Sequence, residues 1–410
     1  MFNHLNLSEE ILKALESKGF ENPTEIQEKC IPLIFAGRDI FGRSKTGSGK
    51  TFAFSLPAID MVDVEMPAVQ VLIVCPTREL AVQVADETRK ATLYKEACAI
   101  ACVYGGASMI NQITALKRAK IVVGTPGRLM DHLRRRTLRL NNVKLVVLDE
   151  ADVMLNMGFR EDIETILISV PRERQTVMFS ATMPPAIKAI TKMYLKNPEY
   201  VEIGELNTTL VEIEQSYVRT NLTGKRQAIV ELFQKLSPQS SIVFCNTKRM
   251  TDIIARVLTT NGFNAQALNG DMRQAERKRT LDAFKAHTID VLVASDVAAR
   301  GLDIDNLDYI FNYDLPLDVE YYIHRMGRTG RAGKSGSVIT LINNSDELIT
   351  LKKYKQATKS DLNEHKLSQS LSTFEDIVGE KAPEKSVIYG ASAYKSKTGK
   401  FIPFAKRSRR

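Results

Sequence analysis

Short apolar, β-branched runs recur along this chain between amphipathic stretches, and that alternation constrains its fold more than any other feature. The runs at residues 71–74, 121–123, 145–148, 242–244, 291–293 and 338–342 are apolar but for Thr340, with no alternating polar face. Such runs are strands covered on both sides, which calls for helices packed over parallel sheets. The strand and helix signals lapse over Gly204-Glu205-Leu206-Asn207-Thr208-Thr209 before a new run opens at Ile213. A chain of 410 residues with 44% apolar content is too long for one ordinary core. We therefore expect two α/β domains, residues 1–204 and 211–364, joined by a linker at 205–210, with a cleft between them. No short-period repeat occurs, so the halves share a design and not a sequence.

Beyond about residue 365 the periodicity fades. Residues 366–410 hold ten Lys/Arg against four Asp/Glu, which is six of the nine net positive charges of the chain. The 365–410 tail buries little apolar surface and is expected to be flexible. Its Tyr394, Phe401 and Phe404 interleave with Lys395, Lys397, Lys400 and Lys406, a pattern suited to stacking and phosphate contact, although basic tails also serve solubility alone.

No apolar stretch approaches the roughly 20 residues a membrane span needs, and residues 1–10 lack the basic and apolar blocks of a signal peptide. No membrane association and a cytoplasmic location are expected. The cysteines, Cys30, Cys75, Cys98, Cys102 and Cys245, form no CxxC pair. Cys98 and Cys102 are four apart, but no second pair or nearby His completes a metal site, so core packing is the reading.

The strongest local signal is Ser44-Lys45-Thr46-Gly47-Ser48-Gly49-Lys50-Thr51, between a short strand run at 39–41 and the apolar-rich 52–56. Glycines let backbone N–H groups converge on phosphate oxygens while a helix presents its positive end. Lys50 would neutralise the β- and γ-phosphates and Thr51 would offer its hydroxyl to Mg²⁺. Ser44 stands where the strict Walker A pattern has Gly. The second signal is the run 145–148 ending in Asp149-Glu150-Ala151-Asp152, which delivers carboxylates to the strand edge where open α/β sheets bind ligands. Asp149 suits Mg²⁺ largely through water, and Glu150 suits orienting and deprotonating an attacking water.

These two stretches, in this order, resemble motifs I and II of the DEAD-box ATP-dependent RNA helicases, in a compact bacterial-type member. The resemblance covers roughly the first 350 residues and implies two RecA-like domains in tandem. Gly19-Phe20-Glu21-Asn22-Pro23-Thr24-Glu25-Ile26-Gln27 resembles the Q motif, with Phe2 as its upstream aromatic. Gln27 matches the donor and acceptor pattern of adenine, so the implied cofactors are ATP and Mg²⁺.

Pro76-Thr77-Arg78, Gly105-Gly106 and Thr125-Pro126-Gly127-Arg128 resemble motifs that line the RNA face of the first domain. Asn246, Gly270, Gln274, Arg277 and Ser295 resemble the RNA-facing positions of the second, with Ser295 where Thr is usual. Such contacts reach sugar and phosphate without reading bases. Ser180-Ala181-Thr182, with Asp152 and His324, resembles the set that couples nucleotide to RNA across the domains. Gly301 and Asp303 would meet the nucleotide, Asp303 at the ribose. His324-Arg325-Met326-Gly327-Arg328-Thr329-Gly330-Arg331 resembles motif VI, whose Arg328 and Arg331 would be arginine fingers.

The resemblance implies RNA-stimulated ATP hydrolysis by Lys50, Asp149, Glu150, Arg328 and Arg331, coupled to domain closure and local strand separation. Ribosomal precursors and the RNA-decay machinery are candidate partners, and a monomer is expected. The rivals are an RNA clamp without turnover and a DNA helicase. Intact Glu150, Arg328 and Arg331 argue against the first, and the Q motif with Asp149-Glu150-Ala151-Asp152 against the second.

Overall fold

A computed structural model of the chain describes residues 1–43, 48–203, 213–221, 224–299, 304, 307–330, 336–358 and 360–367. The expectations for Ser44, Lys45, Thr46, Gly47, Gly301, Asp303, Arg331 and the 205–210 linker lie outside the described residues, as does the tail from 368 on.

The first sheet has seven parallel strands: β1 (Ile40–Arg43), β2 (Val71–Val74), β3 (Ile100–Val103), β4 (Ile121–Gly124), β5 (Leu145–Leu148), β6 (Gln175–Ser180) and β7 (Glu199–Glu202), in the order β3-β4-β2-β5-β6-β1-β7. The second sheet also has seven: β8 (Ile213–Arg219), β9 (Ser241–Cys245), β10 (Ala265–Leu268), β11 (Val291–Ser295), β12 (Tyr309–Asn312), β13 (Gly336–Ile342) and β14 (Leu362–Glu364), in the order β10-β11-β9-β12-β13-β8-β14. Counted from its own first strand, the second sheet repeats the order of the first. The two lobes are thus one topology built twice from dissimilar sequence, as expected for tandem RecA-like domains.

The uniformly apolar runs are explained by cores on both faces. Along β2, Val71 and Ile73 enter one apolar cluster while Leu72 and Val74 enter the other. Along β9, Ile242 and Phe244 point to one side and Val243 and Cys245 to the other. The alternation of a strand places successive side chains on opposite faces, so two covered faces demand apolar residues at every position.

Strands β3, β7, β10, β12 and β14 were not singled out in the sequence. In the edge strand β7, Tyr200 is 61% exposed and only Val201 is buried. The other edge strand of that type, β14, has three residues. Edge strands bury fewer of their residues and so lack the unbroken apolar signature, which accounts for β3, β7, β10 and β14 but not for the central β12.

All five cysteines are free, and four are buried. Burial pushes the Cys30 and Cys102 thiols up to about 12 and Cys98 to about 11, which keeps them as unreactive thiols.

Candidate functional site

Apart from Phe2 and the segment 19–27, which precede the first strand, the sequence-predicted segments of the first lobe follow the carboxyl ends of parallel strands, the ligand edge of such a sheet. β1 leads to Ser48, Gly49 and the helix Lys50–Asp60, which is held on the sheet by Phe54 against Phe179 of β6, ring centroids 5.7 Å apart. Such a ring pair adds about 0.5–1.5 kcal/mol beyond its burial.

Gly49 has φ 91°, and a Cβ there would lie 2.7 Å from both Gln27 Nε2 and Thr24 Oγ1. Only glycine fits. The reason is Gln27, whose Oε1 accepts from the Thr24 N–H (2.9 Å) and whose Nε2 donates to the Gly49 carbonyl (3.0 Å). The amide thus clamps its own helix start to the phosphate loop, and retains one N–H and one lone pair for a base. Phe2 departs from expectation. It packs in the apolar cluster with Leu5, Ile11 and Ile31 and is 4% exposed, so its ring offers no open face for stacking on adenine.

Lys50, Asp149 and Glu150 gather at this edge with 7%, 3% and 8% exposure. Thr51 follows Lys50 on the first helical turn, half-buried. Burial raises the Asp149 carboxyl above the ordinary range, and Lys50 opposes the rise. Burial likewise raises Glu150, with Lys50, Arg328 and His324 pulling down and Asp149 pushing up. Glu150 sits at φ 51° and ψ 52°, a left-handed backbone rare outside glycine and asparagine.

Two of the charges acting on Glu150 come from the second lobe. Glu150 lines one interlobe cavity together with Asp296, Tyr321, His324, Arg325 and Arg328. Arg328 is 6% exposed. The helix Val319–Met326 aims it, and that helix is anchored by Arg325, for which no role was expected. Arg325 is 2% exposed and donates twice to Asp296 (both 2.7 Å), to Asn312 Oδ1 (2.9 Å), to the Asp314 carbonyl (2.9 Å) and to Asn246 Oδ1 (3.0 Å). Its position as the first arginine of the repeated Arg-x-x-Arg pattern was the available signal. Asn246, expected at RNA, also donates to the Leu315 carbonyl (2.9 Å), so its side chain is tied into this network.

Thr182 donates through N–H (2.9 Å) and hydroxyl (2.8 Å) to Asp152 Oδ2, and Ser180 donates to the Thr182 carbonyl (2.7 Å). These bonds stay within the first lobe. The expected bridge to the second lobe is not among them, because both groups sit on adjoining strand ends of one sheet.

A second cleft, about 530 Å³, runs between the lobes and is lined by Pro76, Thr77, Arg78, Gly105, Thr125, Gly127 and Arg128 from the first and Gly270, Arg277 and Lys248 from the second. Thr77 and Thr125 are the N-caps of Arg78–Ala91 and Pro126–Arg134, so two positive helix ends face it. Gly106 has φ 84°, and a Cβ there would meet Arg78 Nη1 at 2.6 Å, so the glycine pair makes room for that guanidinium. Ser295 ends β11, 7% exposed.

Arg128 is positioned by neighbours the sequence did not reveal. Its Nη1 donates to Gln112 Oε1 (3.1 Å) and to the Ala107 carbonyl (3.2 Å). Gln112 Oε1 is also 3.0 Å from Nε2 of His132, which is fully buried, and Gln112 Nε2 donates to the Tyr104 carbonyl (2.9 Å).

Arg277 and Gln274 also differ from expectation. Arg277 Nε donates to Glu79 Oε1 across the lobes (2.7 Å), and its other ends donate to the carbonyls of Asn269 (3.2 Å) and Ala298 (2.9 Å). Gln274 Nε2 reaches the same Glu79 oxygen at 3.4 Å. Three of its five N–H donors are so engaged, which makes Arg277 an interlobe tie at the wall of the cleft. Glu79 was missed because a glutamate in a helix's first turn is ordinarily explained by the dipole.

A family model described as DEAD/DEAH box helicase matches residues 24–190, and one described as helicase conserved C-terminal domain matches 224–333. The chain is 48% identical over 342 residues to the ATP-dependent RNA helicase CshA of Listeria monocytogenes, covering 83% of this chain and 66% of that protein. It is 45% identical over 366 residues to the DEAD-box ATP-dependent RNA helicase CshA of Bacillus subtilis, covering 89% and 74%. The chain thus spans from just under two thirds to about three quarters of these relatives' lengths. Among solved structures it resembles S. cerevisiae Dbp5 bound to RNA and ADP BeF3, at 30% identity and TM-score 0.80, covering 89% of this chain and 95% of that one. Against a DEAD box protein of Methanococcus jannaschii the identity is 43% and the TM-score 0.51, with 89% and 99% covered. Higher identity with lower superposition over nearly the same residues is what a different mutual placement of two similar lobes produces. This chain superposes better on Dbp5 bound to RNA and ADP BeF3 than on the Methanococcus jannaschii protein.

Proposed function

The chain belongs to the DEAD-box helicase family, and from that premise we propose that it is an ATP-dependent RNA helicase whose hydrolysis is completed only when its two lobes close on RNA. The observation that carries the proposal is Glu150 of one lobe facing Arg328 of the other across a single cavity. Neither lobe alone holds the full set of charges that phosphoryl transfer needs.

The backbone N–H groups of residues 44–49 and the Lys50 ammonium hold the phosphates, and Gln27 offers its remaining donor and acceptor to adenine. Glu150 orients the attacking water and takes its proton. Arg328, with Arg331 by family resemblance, stabilises the charge that develops on the transferred group, worth about 10³- to 10⁵-fold in turnover. Gly301 and Asp303 serve the nucleotide by the same resemblance.

The donor set fits Mg²⁺. A hydroxyl on a first helical turn (Thr51) and one buried carboxylate (Asp149) leave most positions to water and phosphate, which that ion prefers to a full protein cage. Held by those two residues, the ion would supply charge neutralisation for the phosphates.

Arg78, Thr77, Thr125 and Arg128, with Gly270 and Ser295 opposite, hold a single RNA strand by its backbone, and bending that strand opposes duplex pairing. The domain division 1–204, 205–210 and 211–364 agrees with sheets ending at Glu202 and opening at Ile213. We assign action as a monomer, since both halves of the nucleotide cleft come from one chain, and a cytoplasmic location. Among the described residues no helix is long and apolar enough to cross a membrane. Ribosomal precursors and RNA-decay substrates are the first to seek by crosslinking in cells.

The test is ATP hydrolysis during titration with matched RNA and DNA strands. Stimulation by RNA above that by DNA is expected; hydrolysis indifferent to RNA at every dose overturns the reading.

A further inference from the structure

The helix Pro126–Arg134 begins at the RNA cleft, where Gly127 and Arg128 line it, and ends in a cluster of arginines. Arg134, Arg135, Arg136 and Arg139 are all exposed. Among the described residues none of these four guanidinium groups has a hydrogen-bonding or ion-pair partner, while nearby Arg128 has Asp131. A cation in the last turn suits the negative end of a helix dipole. That accounts for Arg134, but Arg135 is the C-cap and Arg136 and Arg139 lie beyond it.

Arg136 has φ 55°, the left-handed region where glycine costs least and a long side chain is strained. It lines a groove of about 530 Å³ together with Arg139, Asn141, Asn142, Ser169 and three leucines. No carboxylate lines that groove. Its two guanidiniums, two amides and one hydroxyl supply donors matched to phosphate oxygens.

We propose that Arg135, Arg136 and Arg139 form a second RNA-backbone contact, which grips the strand or duplex that continues past the interlobe cleft. Nine helical residues at about 1.5 Å each set the two contacts roughly 13 Å apart, within reach of one polynucleotide. The proposal rests on the reading of the cleft as an RNA site. It makes the first lobe a two-point holder, so that substrate length beyond the cleft adds affinity without adding to hydrolysis.

The experiment uses the full chain and an RNA series of increasing length, with half-saturation read from ATPase stimulation. For the wild type, half-saturation falls as length passes what the cleft holds. In an R135Q/R136Q/R139Q variant it reaches its floor at the shorter length, about tenfold weaker for long RNA, with maximal turnover and short-RNA response unchanged. The slope of log affinity against log salt for long RNA falls by about two, as expected for three lost phosphate contacts to a single strand. R136G supplies an arm that does not depend on tolerance of the triple change: it relieves the left-handed strain, so thermal stability rises while long-RNA affinity falls. A length dependence identical to wild type in both variants overturns the proposal and leaves the cleft reading intact, as for a surface that meets an acidic protein instead. Loss of short-RNA response in step with long-RNA response also overturns it. Absence of RNA stimulation in the wild type removes the cleft reading itself.

Discussion

Glu150 carries two costs at once: a left-handed backbone, and burial that raises its carboxyl above the ordinary range. A group whose folded-state value is raised destabilises the fold fully above that value and not at all below its ordinary one. E150Q removes the buried charge without changing shape. In the absence of nucleotide and metal it should raise the melting temperature near neutral pH by a few degrees, a gain that shrinks as pH falls into the ordinary carboxylate range. The same variant should bind ATP and RNA and barely hydrolyse; brisk turnover would remove Glu150 from the role of base. Arg328 faces it from the other lobe, so R328A should lower turnover by about 10³-fold or more while changing ATP affinity far less. Equal losses in both, measured by single-turnover hydrolysis and nucleotide titration, would count against a transition-state role.

Helices in this protein serve as mounts whose ends aim at ligands and whose flanks are cross-braced. Met109–Leu116 supplies Gln112, which holds Arg128 on Pro126–Arg134, and buried His132 holds Gln112 in turn. Q112L should therefore raise the RNA concentration for half-maximal ATPase, with turnover at saturating RNA nearly kept. The effect should vanish when Arg128 is already alanine. An equal loss in that background would mean that Gln112 supports the lobe as a whole and not that one guanidinium. Likewise the helix Val319–Met326 is fixed through Arg325 and Asp296, so motif VI is stationed by a pair outside the reacting set.

Closure of the whole molecule is held in part by Arg277 against Glu79, an ion pair whose side chains are 8% and 13% exposed. Partners so placed couple with an interaction energy on the order of 0.5–3 kcal/mol. E79Q and R277Q should each weaken RNA-stimulated hydrolysis, and their combination should cost less than the sum. The basal rate without RNA, when the lobes are apart, should not move. Strict additivity in this double-mutant cycle would show that the tie plays no part in closure.

Much of this was legible in the sequence because it is local. Phosphate loops, carboxylates at strand ends and arginines at fixed spacing are chemistry written within a few residues, and two covered sheet faces write themselves as unbroken apolar runs. Phe2 was misread because an aromatic near a nucleotide motif and an aromatic in a core look alike until its neighbours, Leu5, Ile11 and Ile31, are known. Glu79 with Arg277, Gln112 with His132, and Arg325 with Asp296 lay equally beyond reach. Each pairing depends on which strand ends stand side by side, and that order, β3-β4-β2-β5-β6-β1-β7 and its repeat, is not sequence order. Local backbone preference and side-chain periodicity determined the elements and the reactive groups. Only the packed sheets, by bringing distant segments within hydrogen-bond range, decided which side chains hold those groups in place.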